Sequence, residues 1–494
     1  MSDKQRLVGD YEIQNLFLLP WNPDGREEHI DLGNTISELN LFESVFEKAL
    51  TGDVIVRDAF GLPDMLAHRN VFLFLQISRP GANSADIRHL FYIHNAEEYE
   101  TGTRQQRLAK LEFVSFEYIK NLKSRVTRSF ANSSMSGDDW SIPDIIHTLL
   151  EDEPPQGVGI NGPENENLPL DVAPKEKKFN MQSLPANRVN LVPAKWRPFR
   201  CIDFLTHRAV SDDNSPSYLF FERTDGYMLF NVYEGFMQAH RERDKLRPYH
   251  NTTANISGNN TGEGDEIKYT QIHDIERKNN EEEIDDTLRG LRGSKLCHLD
   301  LLTKQYREYG HDPAREIMRM ARIVERPARS KWERLEHDIL DPKPEKEYGV
   351  SPYRARQEVT GMDTWEAYNQ RTFFSPVTRS LLAKDEKKIV YNGEQETERW
   401  LQLRYQFLAE LELLEYQITA VGRTNYHAGD FIRLYLPSTR HADNNPEKII
   451  DEKRSGIYMV VNIRHQFTQR GHFVHMDVAR DSLSSKKHFP VGGS

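Results

Sequence analysis

The residues most able to do chemistry are few, and their spacing does not favour it. His465, His472 and His475 form the one local histidine cluster in a chain of 18 histidines. Two imidazoles on one face of a hairpin could begin a metal site, because a neutral ring nitrogen is a common ligand. No third ligand is evident, so structural roles are expected for all three. Glu97 and Glu98 form a carboxylate pair of the kind a glycosidase uses, with its two acids roughly 5–10 Å apart. Neighbours on a strand point to opposite faces, and 76 acidic residues produce such pairs by chance. Gly157-Val-Gly-Ile-Asn-Gly162 fits G-x-G-x-x-G, yet it follows Glu-Asp-Glu-Pro-Pro-Gln and leads into Pro163-Glu-Asn. A phosphate cradle needs a strand before the turn and a helix after it. No phosphate-loop lysine motif, hydrolase elbow or zincin helix occurs in the sequence. The sequence therefore assigns no catalytic, cofactor-binding or metal-ligating residue, and no enzyme is expected. Cys201 and Cys297 show no metal-ligand or redox spacing and are read as buried thiols.

The elements around these residues are mostly strands. Asp53–Asp58, Val71–Ser78, Ile87–His94 and Leu108–Tyr118 are short β-rich runs separated by Gly, Pro and Asn, the pattern of a barrel or sandwich. Leu39, Phe42, Val45, Phe46 and Leu50 recur at helical spacing before Gly52, which predicts a short amphipathic helix. Ser141 is a plausible N-cap for a helix over about 142–151, with Pro143 tolerated in the first turn. Residues 152–198 read as a long surface loop, and Phe199–Ala209 as a helix. Tyr218–Glu222 and Tyr227–Val232 form a hairpin about Arg223-Thr-Asp-Gly226. Asn251–Gly264 is a turn-rich, low-complexity loop and Glu281–Asp286 a solvated acidic run. Residues 313–340 carry apolar positions amid many Arg and Glu, and Trp400–Tyr416 is apolar at near-helical spacing.

The last 80 residues or so are the most legible. Ile418–Val421, Phe431–Pro437, Ile457–Phe467 and His472–Ala479 are strands. Pairing Phe467 with His472 sets Ile463 against Met476 and Val461 against Val478, so the apolar residues share one face. Arg464 then lies opposite His475 on the other face, diagonal to Asp477.

At 494 residues the chain is long enough for about three or four domains and needs no disulfides. An apolar share of 37% against a charged share of 29% predicts a compact protein carrying long polar loops. The N-terminal stretch lacks a basic segment followed by an apolar one, and no apolar run approaches bilayer length, so a soluble, non-secreted chain is expected. A formal charge of −11 argues against a duplex-binding groove.

Three ordered segments resemble the baseplate (tail) hub protein of contractile-tailed bacteriophages. The first runs from Ile36-Ser-Glu-Leu-Asn-Leu-Phe to Leu50-Thr-Gly-Asp-Val-Ile-Val-Arg-Asp and on to Asp64-Met-Leu66. The second comprises Leu111–Asn121 and Arg125–Phe130, followed by Arg197–Leu205 and Tyr218–Phe230. The third pairs Tyr426-His-Ala-Gly-Asp-Phe-Ile-Arg-Leu-Tyr-Leu-Pro437 with Ser455–Phe467. Together they cover about half the chain. The resemblance implies an α+β, mainly β fold: two β-barrel-like tube domains plus helical or loop-rich intervening domains. It places the first tube-like domain at 1–120, a mixed α/loop domain at 121–215 and a joining hairpin at 216–240. A helical and loop-rich insertion at 241–398, the second tube-like domain at 399–484 and a tail at 485–494 complete the chain. It further implies a homotrimer that adapts the tail tube to the central spike protein and contacts neighbouring baseplate proteins, with no membrane partner. DNA would be only a transient passenger through the lumen. Its location would be the virion, after assembly in the host cytoplasm. The competing readings are a tail-associated peptidoglycan hydrolase and the hub part of a secretion-system spike.

Overall fold

In the computed structural model, described residues are 9–20, 29–58, 61–66, 70–79, 86–100, 107–130, 140–161, 174–189, 191–212, 215–251, 271–278, 294–300, 305–311, 371–379, 391–393, 397–411, 414–437, 451 and 454–480. The expected features at 313–340, at 281–286 and at 485–494 fall outside them, as does all but Asn251 of the turn-rich loop.

The N-terminal β-unit contains β1 (Glu12–Pro20), β2 (Ile30–Asp31), β3 (Ile36–Ser44), β4 (Thr51–Arg57), the short α1 (Leu62–Leu66), β5 (Val71–Ser78), β6 (Ile87–Glu100) and β7 (Arg107–Ser115). Its strands run in the order β3-β4-β7-β6-β5-β1-β2. Strands from both ends bury leucines in one core, Leu16 and Leu18 of β1 with Leu39 and Leu41 of β3. The helix expected over 39–50 is instead strand β3 and a turn. Leu39, Leu41 and Glu43 alternate inward, and the backbone pairs with β4 on one side and β19 (Gly456–Thr468) on the other. Two complete ladders outweigh an accidental 3.6-residue spacing. The fourth expected strand ends at Ser115, where α2 (Phe116–Lys123) takes over.

A mixed layer follows, with α3 (Ile142–Glu151), β8 (Lys178–Met181), α4 (Pro198–Arg208), β9 (Tyr218–Arg223), β10 (Gly226–Asn231) and α5 (Val232–Arg241). Ser141 and Asp144 form a reciprocal capping box at the start of α3, as the sequence predicts for Ser141. The stretch 152–198 is not purely a surface loop: Val158, Ile160, Val189 and Leu191 are buried in the core that α3 and α4 share. The hairpin does not complete the second barrel by hydrogen bonding. It pairs with β8 in a separate three-stranded sheet ordered β8-β10-β9. Phe220, Tyr227 and Leu229 join the core of α3 and α4, whereas Leu219, Phe221 and Phe230 join that of the barrel. With both faces apolar, the hairpin has to lie between two cores. Its turn ends at Gly226, where φ is +137° and a Cβ would stand 2.2 Å from the Lys178 carbonyl oxygen, so only glycine fits.

The region 241–398, expected to be helical and loop-rich, contributes strands among its described residues. These are β11 (Arg247–Asn251), β12 (Gln271–Lys278), β13 (Ser294–Asp300), β14 (Gln305–His311), β15 (Arg371–Arg379) and β16 (Tyr391–Gly393). The last four form their own sheet, ordered β14-β13-β15-β16. The chain continues through α6 (Thr397–Leu411), β17 (Leu414–Val421), β18 (Phe431–Tyr435), β19 and β20 (Gly471–Arg480). A six-stranded barrel closes as β18-β11-β12-β17-β20-β19, because β18 also pairs with β19. The β19/β20 register agrees with the reading at Phe467 and His472, Ile463 and Met476, and Arg464 and His475. A bulge between Val460 and Asn462 shifts the rest, so Val460 rather than Val461 opposes Val478.

The architecture is thus mainly β, with few helices. Antiparallel pairing of β19 with β3 joins the barrel to the N-terminal unit in one 13-stranded sheet.

Candidate functional site

Eight adjacent strands, β12-β17-β20-β19-β3-β4-β7-β6, carry one polar face across both units. The two-residue period fixes it. Inward positions such as Ile463, Phe467, Leu39 and Val54 are buried in the cores. Outward positions hold Asn462, Arg464 and Gln466 on β19, opposite Ser44, Phe42 and Asn40 on β3. The side chains form a network that crosses the junction. Arg464 donates to Asn40 Oδ1 at 2.9 Å and to Glu38 Oε1 at 2.9 Å, and Gln466 donates to the same Glu38 oxygen at 2.8 Å. Asn40 passes the contact on to Asp53 at 2.7 Å. At the far ends Lys278 pairs with Glu415 and Asp477 at 3.0 and 2.8 Å, and Lys110 pairs with Glu112 at 2.7 Å. Carboxylates outnumber cations on this face: Glu38, Asp53, Glu97, Glu112, Asp274, Glu276, Glu415 and Asp477 face Arg57, Lys110, Lys278 and Arg464. Burial works to raise the Glu38 carboxyl, but hydrogen bonds from Gln466 and Asn40 and the Arg464 charge prevail and hold it low. The excess of carboxylates gives the wall a net negative field.

Behind this face, the inward side of the β3–β19 seam is polar at its centre. Glu43 of β3 has no exposed side-chain surface. Its Oε1 accepts from the Thr224 N–H and hydroxyl, both at 2.9 Å, and lies 3.3 Å from His427 Nδ1. Its Oε2 accepts from the Ala428 N–H at 2.9 Å. Burial alone would raise this carboxyl, but the charge and hydrogen bond of His427 lead the opposing effects and bring it down to about 2. His427 is raised in return: burial opposes its charge, and the Glu43 anion more than compensates.

Three further histidines close the seam. His89 Nε2 sits 2.8 Å from the Thr224 carbonyl oxygen and so donates to it. His465 Nε2 lies 3.0 Å from the Tyr426 carbonyl oxygen, which fixes its proton there. His465 Nδ1 must then accept from His472 Nε2, 3.1 Å away. The His472 ring stacks on Phe467 with centroids 4.1 Å apart. Gly422 makes room for it, because a Cβ there would lie 2.4 Å from the imidazole. Burial drives His89 and His465 down to about 4 and His472 well below the ordinary range.

A second buried ionic group anchors the hairpin. Lys177 reaches Glu117 of α2 at 2.6 Å and also Glu222 of β9, whose other oxygen accepts from the Leu50 N–H at 2.9 Å. Burial raises Glu222, and the neighbouring Glu117 charge adds to this. Glu117 itself is lowered, because the Lys177 charge overcomes its burial.

The histidine cluster is therefore split by the pleat. His465 and His472 meet inside, whereas His475 faces outward, hydrogen-bonded to Gln466 and Thr419, both at 3.0 Å. Among the described residues no group of three His, Cys, Asp or Glu has ligand geometry. Glu97 and Glu98 pair with Lys110 and Ala109 on opposite faces of β6. Gly157 and Gly159 lie in turns after a helix, not between a strand and a helix. Cys201 and Cys297 are free, buried thiols, and burial pushes Cys201 up to about 12. Among the described residues no helix is long and apolar enough to cross a membrane. No sequence motif marks Glu43, Thr224 or His427. The one local clue is that Glu43 continues the inward alternation of Leu39 and Leu41.

No family model matches the chain, and no curated protein matches it. Similar solved structures include the tail protein from Neisseria meningitidis MC58, with a TM-score of 0.43 and 8% identity, covering 95% of this chain and 97% of that one. Another is the 43 kDa tail protein of prophage MuSo2 from Shewanella oneidensis, with a TM-score of 0.42, 7% identity and coverage of 95% and 98%. A third is the E. coli c3393 protein, described as a component of the type VI secretion system, with a TM-score of 0.38, 8% identity and coverage of 96% and 77%.

Proposed function

We propose that this chain is a structural baseplate hub of a contractile phage tail. On this reading it is a homotrimer that joins the tail tube to a central spike protein and walls part of the DNA conduit. The observation that carries the reading is the β3–β19 ladder, which fuses the N-terminal unit and the barrel edge to edge in one sheet. Three copies of such a chain present six β-units, the number needed to meet a sixfold tube from a threefold spike. The ordered resemblance of Ile36–Leu66, Leu111–Phe230 and Tyr426–Phe467 supports the same assignment.

The anionic face suits the inside of a conduit. A passing polyanion meets fixed carboxylates and few free cations, so it crosses without adhering. Lys110, Lys278 and Arg464 are each already engaged by carboxylates of the same wall. The proposed chain performs no catalysis: it positions other proteins and leaves wall lysis to partners. Light scattering of the purified chain tests the assignment, with three times 57.6 kDa expected.

A further inference from the structure

The tip of the β9–β10 hairpin and the segment 422–430 meet over the inward side of the seam. Thr224 gives its N–H and hydroxyl to Glu43 of β3 and accepts from His89 of β6. Segment 422–430 gives the Ala428 N–H to Glu43 and the Thr424 hydroxyl to Asp86, at 2.9 and 2.8 Å. Both of these acceptors belong to the N-terminal unit. The same segment is held to the barrel by the Gly422 N–H to the His472 carbonyl and the Gly429 N–H to the Val460 carbonyl, both at 2.8 Å. It is a strap that touches both units; the strap and the hairpin tip are each held by a histidine with no room for a second proton, His465 and His89.

His89 spends Nε2–H on the Thr224 carbonyl, and its Nδ1 is buried with no hydrogen-bond partner. An added proton there would be an unpaired buried N–H beside the Lys177 charge, which outweighs that of Glu117, with Lys175 adding to it. His465 has both nitrogens committed, one to Tyr426 and one to His472. A proton on its Nδ1 would face the His472 N–H, donor against donor. The groups around this pair are Glu43 of β3, His427 of the strap, Tyr11 before β1, and the Phe467 ring. Arg223 of the hairpin lies 3.7 Å from Asp430 of the strap and 2.6 Å from Asp225.

We propose that the hairpin tip and the 422–430 strap form an acid-released latch, which opens the inward side of the seam while the β3–β19 ladder holds as a hinge. The sign follows from the geometry. His89, His465 and His472 fit only as neutral rings, so the open form binds more protons than the closed one once the pH falls below about 6.5. Closure is complete above that value and is lost as the pH falls toward the folded values, near 4 for His89 and His465. His427 opposes release only at the top of this window: its raised value keeps it charged when closed, and once the pH is about a unit below 6.5 it is charged in the open form too. Each excluded proton favours opening by about tenfold per pH unit.

The inference does not depend on the hub reading, and its test needs no partner. Hydrogen exchange of the full chain, corrected for intrinsic rates, is followed at Thr224 and Ala428 between pH 6.5 and 5. Protection is expected to fall with a slope that approaches about a hundredfold per pH unit from His89 and His465 together, while Val71–Ser78 in β5 stays protected. His89→Gln keeps a donor for the Thr224 carbonyl and should make the fall about tenfold per unit shallower. Unchanged protection at the latch, or simultaneous loss in β5, overturns the proposal. If His89→Gln does not fold, ring C2–H exchange on the unaltered chain reads each histidine directly. Titration of His89 and His465 near 6.5 would equally overturn it.

Discussion

Arg464 Nε donates to Asn40 Oδ1 at 2.9 Å, although 424 positions separate the two residues in the chain. The contact spans the only β-ladder between the barrel and the N-terminal unit among the described residues. It ties the two units into one polar wall, and the same ladder carries the buried Glu43 and His465 on its reverse side. Seam and wall are two faces of one pairing.

Replacing Lys177 by Met would leave Glu117 and Glu222 buried together without their cation. A broken buried ion pair costs about 3–5 kcal/mol. The expected result is a large drop in the midpoint of thermal unfolding for Lys177→Met. A double variant that also carries Glu117→Gln should recover part of it, because only one carboxyl then remains.

Gly422→Ala forces a methyl group into the His472 ring, to within 2.4 Å of it. Overpacking of a rigid buried ring costs about 1–3 kcal/mol. Chemical denaturation should show that loss, whereas the same change at Gly33, which meets only the Asp31 carboxylate, should be near neutral.

Glu43 and His427 give the seam its alkaline limit. His427 is raised, so its contribution is complete below about 6.5 and lost as the pH rises through its folded value. Glu43, brought down to about 2, contributes above its ordinary value and loses that contribution as the pH falls toward 2. Melting temperatures measured from pH 6.5 upward should decline in the wild-type chain, and Glu43→Gln should flatten the decline while lowering stability overall. A slope unaffected by Glu43→Gln would contradict the pairing.

The proposal that the chain performs no catalysis is itself testable. Purified chain is expected to leave peptidoglycan uncleared at micromolar concentration, under conditions where a lysozyme control clears it. Clearing that survives repurification would favour the hydrolase reading.

How much of this was legible depended on how local each signal is. The β19/β20 hairpin could be read because its turn and its alternation lie within 25 consecutive residues, and only the bulge at Val461 escaped. Helix α3 was legible because its N-cap Ser141, Pro143 in the first turn and the apolar positions Ile145, Ile146, Leu149 and Leu150 are all local signals. Strand β3 was misread because Leu39, Phe42 and Val45 imitate a helical stripe, and the ladders that decide the matter come from residues 51–57 and 462–468. Strands β11 and β12 escaped because their core contribution is little more than Tyr249 and Ile272, with Asp274, Glu276 and Lys278 turned to the polar side. The seam was invisible for the same reason. Glu43 meets Thr224 and His427 across 181 and 384 positions, and no periodicity spans such distances.

The central claim is the threefold hub, and mass together with shape measures it most directly. Light scattering combined with electron-microscope images of the purified chain should give a particle of three times 57.6 kDa, a three-lobed ring around a central hole. A clean monomer at micromolar concentration that captures no spike protein would contradict it.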